Sequence, residues 1–457
     1  MMTFGSVCSG VEAAQLAFTR FNYKQLWSSE IAEFPSKVLE HHYPQIPNLG
    51  DMTSIPKKIL EKKIEAPDLF CGGTPCQAFS LAGWKNGLAD ERGQLTITFI
   101  DIANAIDKVR KEQGNNEAII LWENVEGVLN DKTNAFGNFI AGLAGLDDEL
   151  KLKKWTKAGY LEGKTRNVAW RVLDAKYFGL PQQRKRLFVL AGGKNFRPDL
   201  ALFEFGKKDL TIKKRTKAKI LQDLFSENEP EANQNYDRVF YKDGHKVEIF
   251  REYTDCLYAA YGTKWNGNAA AYNGSLYVSQ NDKLRRLTPL ECERLMGMPD
   301  NYTLIKGSKD TTRFQSIGNS WAVPVISWIG EQIEAYRNQK LFVKDNWQNY
   351  LESVGNNLDA KLYLLGDVKR ISSTHYLNTT ASPYDMKEGS LEEVIEVHGI
   401  NEKFYLSSAA CSGILRRKEE RNMKMNPDLE RILHINSIEV KDEEVVSSKN
   451  SLIYTRI

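Results

Sequence analysis

Pro67-Asp68-Leu69-Phe70-Cys71-Gly72-Gly73-Thr74-Pro75-Cys76-Gln77 is a short apolar run halted by paired glycines. Such a run bounded by a turn signal reads as a buried strand. The glycines permit a sharp turn and Pro75 fixes its own φ, so Cys76 is presented just past the strand's carboxyl end. The pattern recurs outward from there. Upstream, Ser6-Val7-Cys8-Ser9-Gly10 forms a glycine-containing turn before a helical pattern from Val11 to Phe21, and Gln25-Leu26-Trp27-Ser28 is strand-like, ended by Glu30. Downstream, Ala118-Ile119-Ile120-Leu121-Trp122 is the clearest fully buried strand, and Arg186-Leu187-Phe188-Val189-Leu190-Ala191 is a later one. Strands separated by helical patterns predict parallel βαβ units with helices on both faces, an α/β core. Ligands of such sheets sit in the crevice beyond the strands' carboxyl ends.

The pattern stops near Gly192, which bounds a core of residues 1–194. Residues 195–282 are rich in Asn, Gly, Tyr and Lys and read as a smaller domain of loops and short strands. Helical sequence returns in 283–339, where Thr288 is an N-cap, Pro289 stands at N1 and Glu291 at N3. Residues 340–457 form a C-terminal extension of mixed segments, with a basic helical patch at Leu415-Arg416-Arg417-Lys418. Over 457 residues, 42% hydrophobic and 26% charged content matches a soluble globular chain and excludes bulk disorder. No apolar stretch approaches the ~20 residues of a spanning helix. Six cysteines without a CxxC pair fit a reducing cytoplasm and argue against structural zinc. A net charge of +3 decides nothing by itself.

Three strand ends, two exits and one entry, carry groups suited to chemistry. Cys76 is placed as a nucleophile, although a single Cys is more commonly a small buried apolar residue. That second reading is preferred for Cys256, Cys292 and Cys411, and Cys71 within its strand is core. Glu123, in Trp122-Glu123-Asn124-Val125, puts a carboxylate at the sheet edge; the alternative is a helix N-cap at Asn124. Pro181-Gln182-Gln183-Arg184-Lys185-Arg186 brings arginines to another strand end, where they could equally be solvated charges.

Taken in order, these stretches resemble the DNA (cytosine-5) methyltransferase family, of the bacteriophage or prophage type. The matching segments are Ser6–Ala13, Pro75-Cys76-Gln77, Glu123-Asn124-Val125, Gln182–Arg186, the run Arg286-Leu287-Thr288-Pro289-Leu290-Glu291-Cys292-Glu293-Arg294-Leu295-Met296-Gly297-Met298-Pro299, and Gly318-Asn319-Ser320. The resemblance covers roughly residues 1–337. It implies a Rossmann-like S-adenosylmethionine-dependent core, with residues 195–282 in the place of a target-recognition domain.

By the resemblance, Cys76 adds to carbon 6 of a flipped cytosine, making carbon 5 able to take a methyl group. Glu123 holds the base's Watson–Crick edge. Arg186 and Arg184 stabilise the charge that develops. S-adenosylmethionine is the implied donor, held by Val7, Cys8, Ser9, Gly10, Val11 and Glu12, with Glu30 on the ribose, Asp51 and Met52 at the adenine, and Asn319 and Ser320 closing the pocket. Two departures stand out: the family's turn carries an aromatic where this chain has Cys8, and glycine where it has Glu12.

Duplex DNA is the implied macromolecular partner. Gln77 and Ser80 flank the nucleophile, and the glycine-bearing segment Ser80–Gly93 suits a mobile lid. Lys213, Lys214 and Arg215, within the basic run Lys207–Lys219, are expected to neutralise phosphates, as is the cluster Lys151, Lys153, Lys154 and Lys157. Tyr258–Tyr277 is expected to read base edges. The implied setting is the cytoplasm of a bacterial or phage-infected cell, as a monomer without membrane contact, and a cognate restriction endonuclease is a functional partner that the motifs leave open. Rival readings are an RNA cytosine-5 methyltransferase and a catalytically inactive DNA-binding relative.

Overall fold

The computed structural model describes residues 1–74, 94–207, 238–261, 272–339, 347–350, 353, 360–366, 368–370 and 375–438. The chain divides into two compact units. The first comprises Met1–Tyr236, Arg251–Asn266 and Thr288–Glu396; the second comprises Asp237–Phe250, Gly267–Leu287 and Val397–Ile457. Strands of the first unit run β1 (Thr3–Val7), β2 (Lys24–Trp27), β3 (Leu69–Gly72), β4 (Ile119–Val125), β5 (Ala158–Glu162), β6 (Arg166–Asp174), β7 (Lys185–Gly193) and β8 (Glu204–Lys207). The second unit holds β9 (Val239–Lys242), β10 (His245–Ile249), β11 (Tyr277–Gln280) and β12 (Lys283–Arg286). The chain then returns to the first unit with β13 (Lys361–Leu365), β14 (Val368–Arg370) and β15 (His375–Asn378).

The central sheet has the order β13-β5-β6-β7-β4-β3-β1-β2. Its β1–β4 half is parallel, as the alternating pattern predicts. The other half is antiparallel, which corrects the expectation of parallel units throughout. The reason is chain length: only residues 175–184 join β6 to β7, fewer than the dozen or so a parallel crossover needs. The result is a mixed sheet with helices on it, a Rossmann-like α/β core.

Helix Gln94–Glu112 packs on the sheet through Phe99, Ala103 and Ile106, spaced at three to four residues. Phe99 stacks on Phe70 at 4.5 Å, and Trp122 meets Phe139 at 4.2 Å. Truncating a ring such as Phe99 to Ala removes about 3–5 kcal/mol from a core of this kind. Among the described residues no helix is long and apolar enough to cross a membrane.

The units cut across the boundaries expected from composition. Residues 195–207 and 251–261 belong to the first unit, and the C-terminal extension is shared between both. Within the first unit, β13 pairs antiparallel with β5, from Lys361 opposite Glu162 to Leu365 opposite Ala158. Arg171 on β6 is fully buried; it donates to Thr380 O at 2.7 Å, Ser382 O and Leu202 O at 2.9 Å, and meets Glu204 at 3.1 Å. A buried guanidinium needs several acceptors, and residues 380–382 supply two of them. Within the second unit, helices Ser408–Glu420 and Pro427–Ser437 join the antiparallel sheet β12-β11-β10-β9. Asn426 caps the second helix, its side chain donating to Phe250 O at 2.9 Å, and Arg431 pairs with buried Glu248 at 2.5 Å.

Candidate active site

The turn after β1 takes positive φ at Cys8 (48°), Gly10 (56°) and Glu12 (62°). Only glycine adopts this region without cost; another residue loses roughly 1–2 kcal/mol there. This explains why glycine suits the Glu12 position. Here Glu12 is tied down instead: its Oε2 accepts from Ser6 Oγ and from Gln25 Nε2, each at 2.8 Å. Its Oε1 is buried with no hydrogen-bond partner among the described residues. Burial pushes the Glu12 carboxyl up to about 7, against the lowering pull of Gln25 and Ser6.

That shift has a measurable sign. The folded state holds the proton more tightly than the unfolded chain, so the stabilisation is complete below about pH 4.5 and is lost as pH rises through about 7. The loss is on the order of 3 kcal/mol. In Glu12→Gln, melting temperature between pH 5 and 8, measured without donor, should fall less steeply than in the unaltered protein. Parallel curves would show that Glu12 is already ionised in the fold.

One pocket is lined by Val7, Cys8, Ser9, Gly10 and Glu12 from the N-terminal turn, and by Asn319, Ser320 and Trp321 from the far end of the unit. Glu123 and Gly73 border the same space. Val11 does not line it. Val11 is buried, and its carbonyl accepts from Tyr302 Oη at 2.7 Å; Tyr302 in turn stacks on His42 at 4.1 Å. Glu30 stands beside the turn, its carboxylate accepting from Gly10 N at 2.8 Å and Ala32 N at 2.7 Å. Asp51 is exposed and caps a short 3-10 turn through Thr53 N, while Met52 is buried with its sulfur 4.0 Å from that of Cys8.

The exit of β4 gathers the second set. Glu123 is buried; Oε1 takes Arg186 Nε at 3.0 Å and Oε2 takes Trp321 Nε1 at 3.1 Å. Burial raises the Glu123 carboxyl, and Arg186, Arg184 and Trp321 oppose that rise. Asn124 donates to Thr74 O at 2.9 Å and Trp122 Nε1 donates to Thr74 Oγ1 at 2.9 Å, so the chain is anchored two residues before Cys76. Cys76, Gln77 and Ser80, the segment Ser80–Gly93, and Lys213, Lys214 and Arg215 lie outside the described residues.

Arg184 occupies a different place from Arg186. It is buried, and its terminal nitrogens donate to Leu257 O (3.2 Å), Gly318 O (3.1 Å), Ser320 O (2.6 Å) and Cys256 Sγ (3.1 Å). It therefore clamps the segment that carries Asn319 and Ser320. Gly318 is required here, because a Cβ would come within 2.7–2.8 Å of the Tyr258–Ala259 backbone. Cys256 corrects the apolar-core reading: it is half-buried, between Arg184 and, at 3.5 Å, Arg186. Cys71, Cys292 and Cys411 are buried.

The run Arg286–Pro299 supplies support. Its helix Pro289–Leu295 has the expected capping box, with Thr288 N donating to Glu291 at 2.7 Å and Glu291 N to Thr288 Oγ1 at 3.2 Å. Buried Glu293 pairs with Arg313 at 2.9 Å. Gln182 bridges Leu295 O (2.8 Å) and Leu257 N (3.0 Å). In the lysine cluster, Lys151 and Lys157 face Glu149 and Glu126 at 2.6 and 3.0 Å. Ser6, within the matched turn, lines the pocket; Trp321, which also lines it, and Gln25, which holds Glu12, were missed by sequence reading, and of these two only Trp321, adjoining Gly318-Asn319-Ser320, carried a local signal.

The pocket lies between a glycine turn and the exits of β3 and β4, the crevice in which a Rossmann-like sheet takes its ligands. The sequence model of the C-5 cytosine-specific DNA methylase family matches residues 2–335, so the chain belongs to that family. It is 33% identical to the DNA N-6-adenine-methyltransferase of Escherichia phage P1, over 73% of this chain and 61% of that protein. It is 29% identical to the type II methyltransferase M.DsaV of Dactylococcopsis salina, over 75% of this chain and 90% of that one. It is 27% identical to M.HhaI of Haemophilus parahaemolyticus, over 74% and 96% respectively. The chain thus spans less than two thirds of the phage P1 relative.

Proposed function

We propose that the protein methylates carbon 5 of a cytosine flipped out of duplex DNA, using S-adenosylmethionine and a covalent adduct on Cys76. The observation that carries this reading is the position of Glu123, held by Arg186 at the exit of β4, beside Gly73 and bordering the pocket of the N-terminal turn.

The pocket residues fit the donor. Val7–Gly10 and Glu12 would hold its methionine end and Asn319 and Ser320 the opposite wall, with the buried unpaired Oε1 of Glu12 a suitable acceptor for an ammonium group. When bound, the donor supplies an electrophilic methyl group. The remaining chemistry falls to the chain. The Cys76 thiolate forms a bond to carbon 6, and Glu123 hydrogen-bonds N3 and the exocyclic amine, stabilising charge on the ring. Arg186 adds a fixed positive charge beside Glu123. After carbon 5 takes the methyl group, its proton leaves to a base, the electrons return to the ring, and the carbon–sulfur bond breaks. Arg184 acts indirectly, by holding the wall that bears Asn319 and Ser320.

The protein would work on duplex DNA in the cytoplasm. The name of the phage P1 relative refers to adenine; this chain spans 61% of that protein, and the groups gathered here are those of the cytosine family. Nucleoside mass spectrometry of DNA from expressing cells decides between the bases, and RNA assayed in parallel tests the RNA alternative. A duplex with 5-fluorocytosine at the target should trap a denaturation-resistant adduct whose peptide contains Cys76. N6-methyladenine without 5-methylcytosine would overturn the proposal.

A further inference from the structure

Glu123 is held on both oxygens, by Arg186 on one and by the Trp321 indole N–H on the other. Fixed charge beside the carboxylate accounts for the first contact but not for the second. Trp321 directly follows Asn319 and Ser320 in the donor pocket, and Arg184 fixes that stretch through the carbonyls of Gly318 and Ser320. The space for the contact is also provided for: a Cβ on Gly73 would lie 3.0 Å from Trp321 Nε1 and 3.1 Å from Glu123 Oε2. An indole N–H donates in one direction only, so it fixes the carboxyl rotamer more narrowly than a hydroxyl could.

We propose that Trp321 is a positioning residue for Glu123: its N–H aims the carboxyl at the flipped base and ties that aim to the wall of the donor pocket. This rests on the reading of Glu123 as the group that holds the cytosine. Through Trp321, an alteration of the wall that contacts the donor reaches the group that contacts the base.

The test is Trp321→Phe, which keeps a ring and removes the donor, beside Trp321→His, which keeps a ring N–H. In Trp321→Phe, kcat on duplex DNA should fall about tenfold, the scale of one hydrogen bond to a charged group. Donor affinity by calorimetry, which also reports folding, should stay within a few-fold. The limb of the pH–rate profile belonging to Glu123 should move to higher pH, because the lost N–H favoured the charged form. Trp321→His should recover much of the rate and return the limb towards its original position. A Phe variant with unchanged rate and profile, or one that loses donor affinity and kcat together, overturns the positioning role. Glu123→Gln serves as the reference: if it methylates cytosine at the full rate, the reading of Glu123 is at fault, and the inference falls with it.

Discussion

Cys76→Ser is expected to reduce methyl transfer by about 10³-fold or more, the scale on which enzymes lose activity with their nucleophile. Serine is nearly isosteric, but its hydroxyl is far less acidic than a thiol, so the attacking anion is almost absent at neutral pH. The fold should be preserved. The strand leading to this position is buried along Leu69–Gly72, and Thr74 is held by Trp122 and Asn124. Donor binding should also persist, since the described residues that line the pocket of the N-terminal turn are untouched by the substitution. Tritium transfer from labelled S-adenosylmethionine into duplex DNA measures the loss. Cys71→Ser, which alters a buried thiol in β3, should keep most of the turnover. Substantial transfer by Cys76→Ser would mean that carbon 5 is activated without a covalent bond to this residue.

Arg184→Ala should be the most damaging change that touches no reacting atom. It deprives the carbonyls of Leu257, Gly318 and Ser320 of a buried donor at once. Each buried group left unpaired costs about 1–3 kcal/mol, and the losses are not simply additive because they share one loop cluster. Thermal stability should drop, and donor affinity should fall at least about tenfold, or 1.4 kcal/mol, because the wall bearing Asn319 and Ser320 loosens. Melting curves and a calorimetric donor titration check both. If kcat collapsed while donor affinity held, Arg184 would have to act on the base itself.

Much of the fold was legible because β3, β4 and β7 are apolar runs, and the stops after β3 and β4 are where the site lies; β1 itself went unread, since only the turn at its end carried a signal. The capping box at Thr288 and Glu291 was legible for the same local reason. What escaped was non-local. β6 was overlooked because Arg166, Arg171 and Asp174 make it look polar, yet all three are buried. Arg166 meets Asp107 at 2.7 Å, and Arg171 reaches Thr380 and Ser382, more than two hundred positions away. Arg184 and Arg186 look equivalent in sequence; only the fold separates the one that clamps carbonyls from the one that faces Glu123. The longest motif, Arg286–Pro299, is specific for a packing reason: its buried Glu291 accepts from Glu396 N at 2.9 Å and its buried Glu293 meets Arg313, both outside the run.

The strand at the end of the central sheet bears on how the protein is made. Lys361–Leu365 completes the ladder on Ala158–Glu162, about two hundred residues earlier. At roughly 5–20 residues per second, a ribosome needs about ten to forty seconds to cover that distance. Throughout that interval the strand bearing Tyr160 and Leu161, both buried in the finished fold, is paired with β6 on one edge only, and an open edge is a template for pairing with other chains. The catalytic half of the molecule is thus synthesised long before it can be closed. Yield on expression should depend on how quickly translation reaches residue 365, and on chaperones that shelter the edge until then.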